Sequence, residues 1–172
     1  MPGDAAIDAT CGNGHDTLFL AKLPLSQIFA LDIQPAAIEN TRNLLAEHLK
    51  EEERKRVSLH QMSHVDLKKV PCREPPRLIV YNLGYLPGSD KSITTMTANT
   101  LASIESALKI LSETGAVSIT CYPGHDEGKK EEEAVLQLTA ALSSKMWEIR
   151  HHRWLNRQHS PSLLWIARLP NA

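Results

Sequence analysis

Hydrophobic positions in this chain follow two spacings: short continuous apolar runs that close on turn signals, and between them apolar residues three and four apart. Ala5-Ala6-Ile7-Asp8-Ala9 is the first such run, closed by Cys11-Gly12-Asn13-Gly14, and it reads as a buried strand. Thr17 to Leu23 predicts a helix stopped by Pro24, and Gln27 to Asp32 a second strand. Pro35 suits a helix first turn, with Ala36, Ile38, Leu44, Leu45 and Leu49 as its broken apolar face. Val57 to His60 is a third strand, and the mixed charges of 50–56 are expected to be a solvated helix end and loop. After a Pro71–Pro76 loop, Leu78-Ile79-Val80-Tyr81 is the strongest strand signal, ending at Asn82-Leu83-Gly84. Thr94 to Ser112 predicts a long helix, with Leu101, Ile104, Leu108 and Leu111 on one face. Gly115 to Cys121 is a fifth strand and Glu131 to Ser144 a further helix. Trp147–Leu155 and Ser162–Leu169 are strands with no helix between them. Alternating strands and helices imply parallel crossovers, so the fold expected is α/β: a doubly wound, mostly parallel seven-stranded sheet with a C-terminal antiparallel hairpin.

At 172 residues the chain is expected to form a single domain, 1–172. Lys plus Arg number 19 against 20 Asp plus Glu, a net charge of −1 that excludes a histone-like chain but not a local basic patch. No apolar run is long enough to span a bilayer. Cys11, Cys72 and Cys121 are far apart with no CxxC pair, which argues against disulfides or structural zinc and for a reducing compartment. Met1-Pro2-Gly3-Asp4 lacks a signal-peptide pattern. It suits a bacterial start, hence the cytoplasm, or a chain from which an organellar transit peptide (plastid or mitochondrion) or a first helix has been removed.

In a doubly wound sheet the ligand lies outside the carboxyl ends of the strands, near the point where strand order reverses. After the first strand comes Asp8-Ala9-Thr10-Cys11-Gly12-Asn13-Gly14-His15-Asp16-Thr17. Its two glycines let backbone approach a ligand, and the helix start presents free amides. Asp32 ends the second strand twenty residues after Gly12, the offset at which a carboxylate accepts from ribose hydroxyls. Gly12 and Gly14 could also make only a tight turn; with Asp32 they point to an adenosine-bearing ligand. Thr17 stands where a dinucleotide fingerprint needs its third glycine, and no P-loop occurs. Two acids, Asp8 and Asp16, suit an ammonium or sulfonium better than a pyrophosphate, so S-adenosylmethionine is the cofactor expected.

Asn82 lies where a substrate nucleophile would meet a transferable methyl group, and its side-chain oxygen can hold an amine. Tyr85 can stack or line the pocket; the bland alternative is an Asn-capped turn with a packed Tyr. His60 and His64 flank the end of the third strand without a third metal ligand, so no metal is expected. A pocket wall is the reading for His64, with an inert surface equally open for His60. Tyr122-Pro123-Gly124-His125 either faces the substrate or merely ends its strand. From Lys145 onward, Lys145, Arg150, Arg153, Arg157 and Arg168 oppose only Glu148, and all three tryptophans, Trp147, Trp154 and Trp165, are here. Basic residues among aromatics suit RNA. The tryptophans are expected to pack on the sheet, while for Arg150, Arg153 and Arg157 phosphate contact and simple solvation remain open.

The motifs D-A-T-C-G-N-G-H-D-T, A-L-D-I-Q, N-L-G-Y-L-P-G-S-D-K and C-Y-P-G-H together resemble the rRNA methylase family of class I, Rossmann-like methyltransferases. That resemblance implies a tRNA wobble-uridine enzyme that methylates the amine of 5-aminomethyl-2-thiouridine at position 34, with the anticodon stem-loop as partner. It implies a cofactor site of Asp8, Thr10, Gly12, Asn13, Gly14, Asp16, Thr17, Asp32, Ile33, Gln34, Ser63, His64 and Asn82. It implies catalytic roles for Asn82, Tyr85 and His125, and a substrate side of Tyr85, Pro87, Gly88, Asp90, Lys91, Tyr122 and His125; the charge of Arg150, Arg153 and Arg157 adds them as candidate substrate contacts. The amine-methyltransferase turn is usually [DN]-P-P-[YF]; here its middle pair is Leu83-Gly84. The expected reaction is in-line displacement with Asn82 holding the neutral amine and His125 or water taking its proton. Two other readings stand beside it: an rRNA or small-molecule amine methyltransferase, and a non-catalytic adenosine-ligand binder, which would not need Asn82-x-x-Tyr85. Basic residues near the pocket mouth favour RNA. A homodimer is left open.

Overall fold

The structure, a computed structural model, describes residues 3–84, 97–157 and 159–170. Its strands are β1 (Ala5–Asp8), β2 (Gln27–Asp32), β3 (Val57–Gln61), β4 (Leu78–Asn82), β5 (Ala116–Cys121), β6 (Trp147–His152) and β7 (Ser162–Arg168). The helices are α1 (His15–Ala21), α2 (Pro35–His48), α3 (Glu51–Arg54), α4 (Thr97–Ile110) and α5 (Asp126–Ala140), with a 3-10 helix over His64–Lys69. One seven-stranded sheet runs in the order β3-β2-β1-β4-β5-β7-β6. Six strands run in one direction, and β7 alone slots antiparallel between β5 and β6. The expected doubly wound sheet and terminal hairpin are therefore present, and strand order reverses between β1 and β4.

Successive strand residues face opposite sides of the sheet. Ile7, Phe29, Ile79, Tyr81, Val117, Ile119, Leu164 and Ile166 join Ile104, Leu108 and Val135 in the larger core, under α4 and α5. Ala6 and Ile28 meet Leu20, Leu45 and Leu49 under α1 and α2. Both faces of the central strands are covered, which is why they read as unbroken apolar runs. No helix among the described residues is long and apolar enough to cross a membrane.

Element boundaries moved where polar contacts outweigh apolar spacing. α1 begins at His15 rather than Thr17, because Gly14 takes a left-handed φ of 85° and its carbonyl accepts from the Leu18 amide at 2.8 Å. α5 begins at Asp126, five residues before the apolar face suggests, because His125 caps it. The charge run is not wholly solvated. It contains α3, and the Arg56 guanidinium donates to the carbonyls of Ala21, Leu23 and Leu25 at 2.9, 3.1 and 2.6 Å, fastening the end of α1. β6 ends at His152 instead of Leu155, since its pairing stops at His152↔Leu163. Of the tryptophans expected to pack, Trp147 does pack against the larger core and Trp165 is half-buried. Trp154 does not: it lies beyond the last paired residue and is 58% exposed.

Candidate functional site: a crevice at the carboxyl ends of the strands

The loop after β1 is held from several sides. Asp8 is wholly buried; it accepts from Thr17 Oγ1 at 2.5 Å and from the Thr10 amide at 3.3 Å. Thr10 Oγ1 in turn accepts from the Asn82 amide at 2.7 Å, stitching this loop to β4. Gly12 has φ 51° and Gly14 φ 85°, a region side chains avoid. A Cβ on Gly14 would lie 2.9 Å from Thr41 backbone and side chain. Thr41, buried in α2, donates through Oγ1 to the Gly12 carbonyl at 3.0 Å, and Asn40 donates to Asn13 at 3.0 Å. Thr41 carries no sequence signal: a threonine inside a helix looks like any other polar residue.

Asp32 ends β2 beside this loop. Its Oδ2 accepts from the Gly12 amide at 3.1 Å and its Oδ1 from the Gln34 amide at 2.9 Å. Each oxygen retains a further lone pair. Ile33, next in sequence, leaves an apolar side chain 50% exposed. The Met62 amide donates to the Asp32 carbonyl at 2.9 Å, so Ser63 and His64 line the same wall. Ser63 caps the 3-10 helix by accepting from the Val65 amide at 3.3 Å. His64 packs edge-on against Tyr81, and its carbonyl accepts from Ser103, which also bonds the Tyr81 hydroxyl. Ser103 is a second supporting residue missed in the sequence, hidden among the polar positions of α4. Burial lowers the His64 pKa, against the opposing charge of Asp32. His60 Nε2 and His64 Nδ1 are buried with no hydrogen-bond partner among the described residues. Buried polar atoms ordinarily have partners. A carboxylate with spare acceptors, an exposed isoleucine and two unsatisfied ring nitrogens fit a ligand bearing a ribose and a flat, nitrogen-rich base.

Across the order switch, Asn82 Nδ2 donates to Asp16 Oδ2 at 3.1 Å. With its NH₂ group held by the acid, the Asn82 amide keeps its oxygen as an acceptor. The Tyr122 ring lies against Gly84, two residues after Asn82. Asp16 and Asn82 therefore link the turns after β1 and β4, and Tyr122, from the turn after β5, packs beside them. His125 is used differently from the sequence expectation. Its Nδ1 accepts from the Gly128 amide at 3.0 Å as the α5 cap. A neutral imidazole accepting at Nδ1 carries its proton on Nε2, so this ring cannot take a proton without losing the cap. Tyr85, Pro87, Gly88, Asp90 and Lys91 lie outside the described residues. Arg150 lies on β6 and is paired with Glu148 at 2.7 Å, while Arg153 and Arg157 lie in the hairpin tip, past the last paired residue of β6.

Burial pushes the Asp8 carboxyl up to about 7, the Thr17 bond opposing and the nearby Asp16 and Asp32 charges adding. The folded protein thus holds a proton that the unfolded chain releases near pH 4. This contribution to stability is full below about pH 4 and is lost as pH rises to about 7. Asp8→Asn, which keeps an acceptor for Thr17, should gain in melting temperature relative to the parent between about pH 5 and pH 8. An offset that does not change with pH would place the proton elsewhere.

Comparisons with known proteins agree on one lineage. The family described as "Putative rRNA methylase" matches residues 28–168. A protein of Arabidopsis thaliana, named tRNA (mnm(5)s(2)U34)-methyltransferase, chloroplastic, is 36% identical over 98% of this chain; the chain spans 65% of that relative's length. Among solved structures, a protein of Clostridium thermocellum described as a putative rRNA-methylase is 33% identical, covering 97% of this chain and 89% of that one, with a TM-score of 0.88. SMU.1697c of Streptococcus mutans, described as a putative methyltransferase in complex with SAH, is 35% identical over 97% and 89% of the two chains, with a TM-score of 0.86.

Proposed function

We propose, from the premise that this chain belongs to the "Putative rRNA methylase" family, that it is an S-adenosylmethionine-dependent methyltransferase acting on tRNA. The reaction is methylation of the amine of 5-aminomethyl-2-thiouridine at the wobble position. The observation that carries this reading is the Asn82 amide, tied at the order switch to Asp16 in the first turn of α1. A binder of adenosine ligands needs Asp32 and the loop; it does not need an oriented acceptor at the end of β4. The name of the Arabidopsis relative supports the nucleotide, and the SAH complex of the Streptococcus mutans protein supports the cofactor.

The residues have separate tasks. Asp32 accepts from the ribose hydroxyls, Ile33 and the Ser63–His64 wall take the adenine, and the loop from Thr10 to Gly14 brings backbone close to the ligand. Bound cofactor supplies an activated methyl group on a sulfonium, so the protein's task is positioning. Asn82 accepts a hydrogen bond from the neutral substrate amine and aims its lone pair. Transfer would form an N–C bond as the cofactor's S–C bond breaks, with the surplus amine proton leaving to water, since His125 Nδ1 is held by the α5 cap. Asp16 fixes the Asn82 amide, and the Tyr122 ring packs against the turn that follows it. Tyr85, Pro87, Gly88, Asp90 and Lys91 complete the substrate side on the strength of the motif alone.

The test is mass spectrometry of nucleosides from tRNA carrying 5-aminomethyl-2-thiouridine, incubated with the protein and methyl-labelled S-adenosylmethionine. One labelled methyl on that nucleoside is expected. Label that enters rRNA or a small amine while the tRNA stays unmodified would overturn the substrate assignment.

A further inference from the structure

The β6–β7 hairpin is pinned at its base and open at its tip. Ser162 is buried and donates to Glu132, and His151 Nε2 lies 3.8 Å from the same carboxylate. Beyond His152↔Leu163 the pairing ends, and the tip presents Trp154 at 58% and Leu155 at 94% exposure. Arg157 lies over the Trp154 ring, 5.2 Å from its centroid, and Arg153 forms no ion pair among the described residues. The glutamate of this segment, Glu148, is already taken by Arg150. The tip therefore combines an exposed indole with unneutralised guanidinium groups.

Its place in the fold relates it to the crevice. Asn82 pairs with Thr120, Thr120 with Leu163, and Leu163 with His152, one row across the sheet. Three inter-strand steps of about 4.8 Å put the start of the tip ~14 Å from Asn82. The carbonyl of His159, in the tip, lies 3.6 Å from where a Cβ on Gly124 would sit, so the tip abuts the Tyr122–His125 turn. A small amine held at Asn82 could not span that gap; a nucleic acid with one nucleotide in the crevice would cross it.

We propose that Trp154 stacks on an unpaired base of the RNA substrate, with Arg153 and Arg157 on the adjoining phosphates. This rests on the RNA reading above and adds to it a base-stacking platform outside the crevice. Positive charge at the tip complements phosphate, and unpaired bases stack on exposed aromatic rings. Arg157 covers one face of the indole and leaves the other to a base.

The test measures binding of an anticodon stem-loop RNA to the full chain by fluorescence anisotropy over a range of salt concentrations, with SAH affinity as the control for an intact fold. Trp154→Ala should weaken RNA binding about 5- to 150-fold, the range for one lost stack, with the salt slope unchanged. Trp154→Phe should retain most of the affinity. Arg153→Gln with Arg157→Gln should instead flatten the log–log slope by roughly 0.7 per lost contact. If the parent binds RNA and Trp154→Ala binds equally well, the stacking proposal fails alone. If Trp154→Ala leaves RNA affinity intact but dissociates a dimer in sedimentation, the tip is a contact between copies. If the parent shows no salt-dependent RNA binding, the RNA reading itself falls.

Discussion

Asn82→Ala is expected to slow methyl transfer to 5-aminomethyl-2-thiouridine tRNA by roughly 10²-fold or more, the scale for a lost positioning contact. SAH affinity should stay close to that of the parent, because the adenosine-facing groups come from the β1 loop, Asp32 and the Ser63–His64 wall. The main-chain bond from residue 82 to Thr10 survives the substitution, so the two turns stay stitched. The rate must be read in single turnover at saturating cofactor, where product release cannot mask the step. Asn82→Asp retains an acceptor, but it sets a second carboxylate where the Asn82 Nδ2 now meets Asp16 at 3.1 Å. Two carboxylates at that spacing repel or share a proton. Its rate is therefore expected near that of Asn82→Ala rather than between alanine and the parent. Wild-type turnover by Asn82→Ala would remove the turn after β4 from the chemistry and leave the amine without a positioning group.

The sheet was legible because burial on both faces writes itself as short apolar runs, and Leu78–Tyr81 or Gln27–Asp32 have no other economical reading. Helix starts were less legible. α5 opens with Asp126-Glu127-Gly128-Lys129-Lys130, a charged turn with no apolar face, and the signal that starts it is a His125 cap that periodicity does not register. Similarly, Arg56 sits in a run of charges and only the fold shows that it holds three carbonyls at the end of α1.

Within the crevice, the sequence pointed to residues that would face a ligand but not to those that hold them. Gly12, Gly14 and Asp32 are conspicuous by type and spacing. Thr41, Ser103 and the Thr10–Asn82 link are contacts between segments far apart in the chain, each made by a residue type common at unremarkable positions. His125 shows the converse: a histidine after a strand invites a proton-transfer role, whereas the first turn of α5 claims the nitrogen that role needs. Trp154 shares one short segment with Trp147 and Trp165, so the sequence offers the same packing role for all three. The pairing register separates them, since only Trp154 falls past the last ladder pair.

Asp32→Ala is expected to weaken SAH binding by about 10- to 150-fold, the equivalent of 1.5–3 kcal/mol for hydrogen bonds to a charged group. The substitution removes more than ribose contacts. Asp32 also accepts from the amides of Gly12 and Gln34, so its loss loosens the glycine loop. Thr41→Val separates the two effects. It deletes the hydroxyl that holds the Gly12 carbonyl at 3.0 Å and touches nothing at the ribose. If loop loosening explained the whole loss, Thr41→Val would match Asp32→Ala; a much smaller loss is expected. A ligand lacking the ribose hydroxyls completes the comparison as a double-mutant cycle. The parent should bind that ligand more weakly than SAH, while Asp32→Ala should bind the two alike, because the carboxylate that distinguishes them is gone. Calorimetry on folded protein gives all four affinities. Equal binding of SAH by Asp32→Ala and the parent would mean that the ribose does not meet this carboxylate, and the adenosine end of the ligand would have to lie away from β2, outside the crevice that Gly12, Asp32 and His64 enclose.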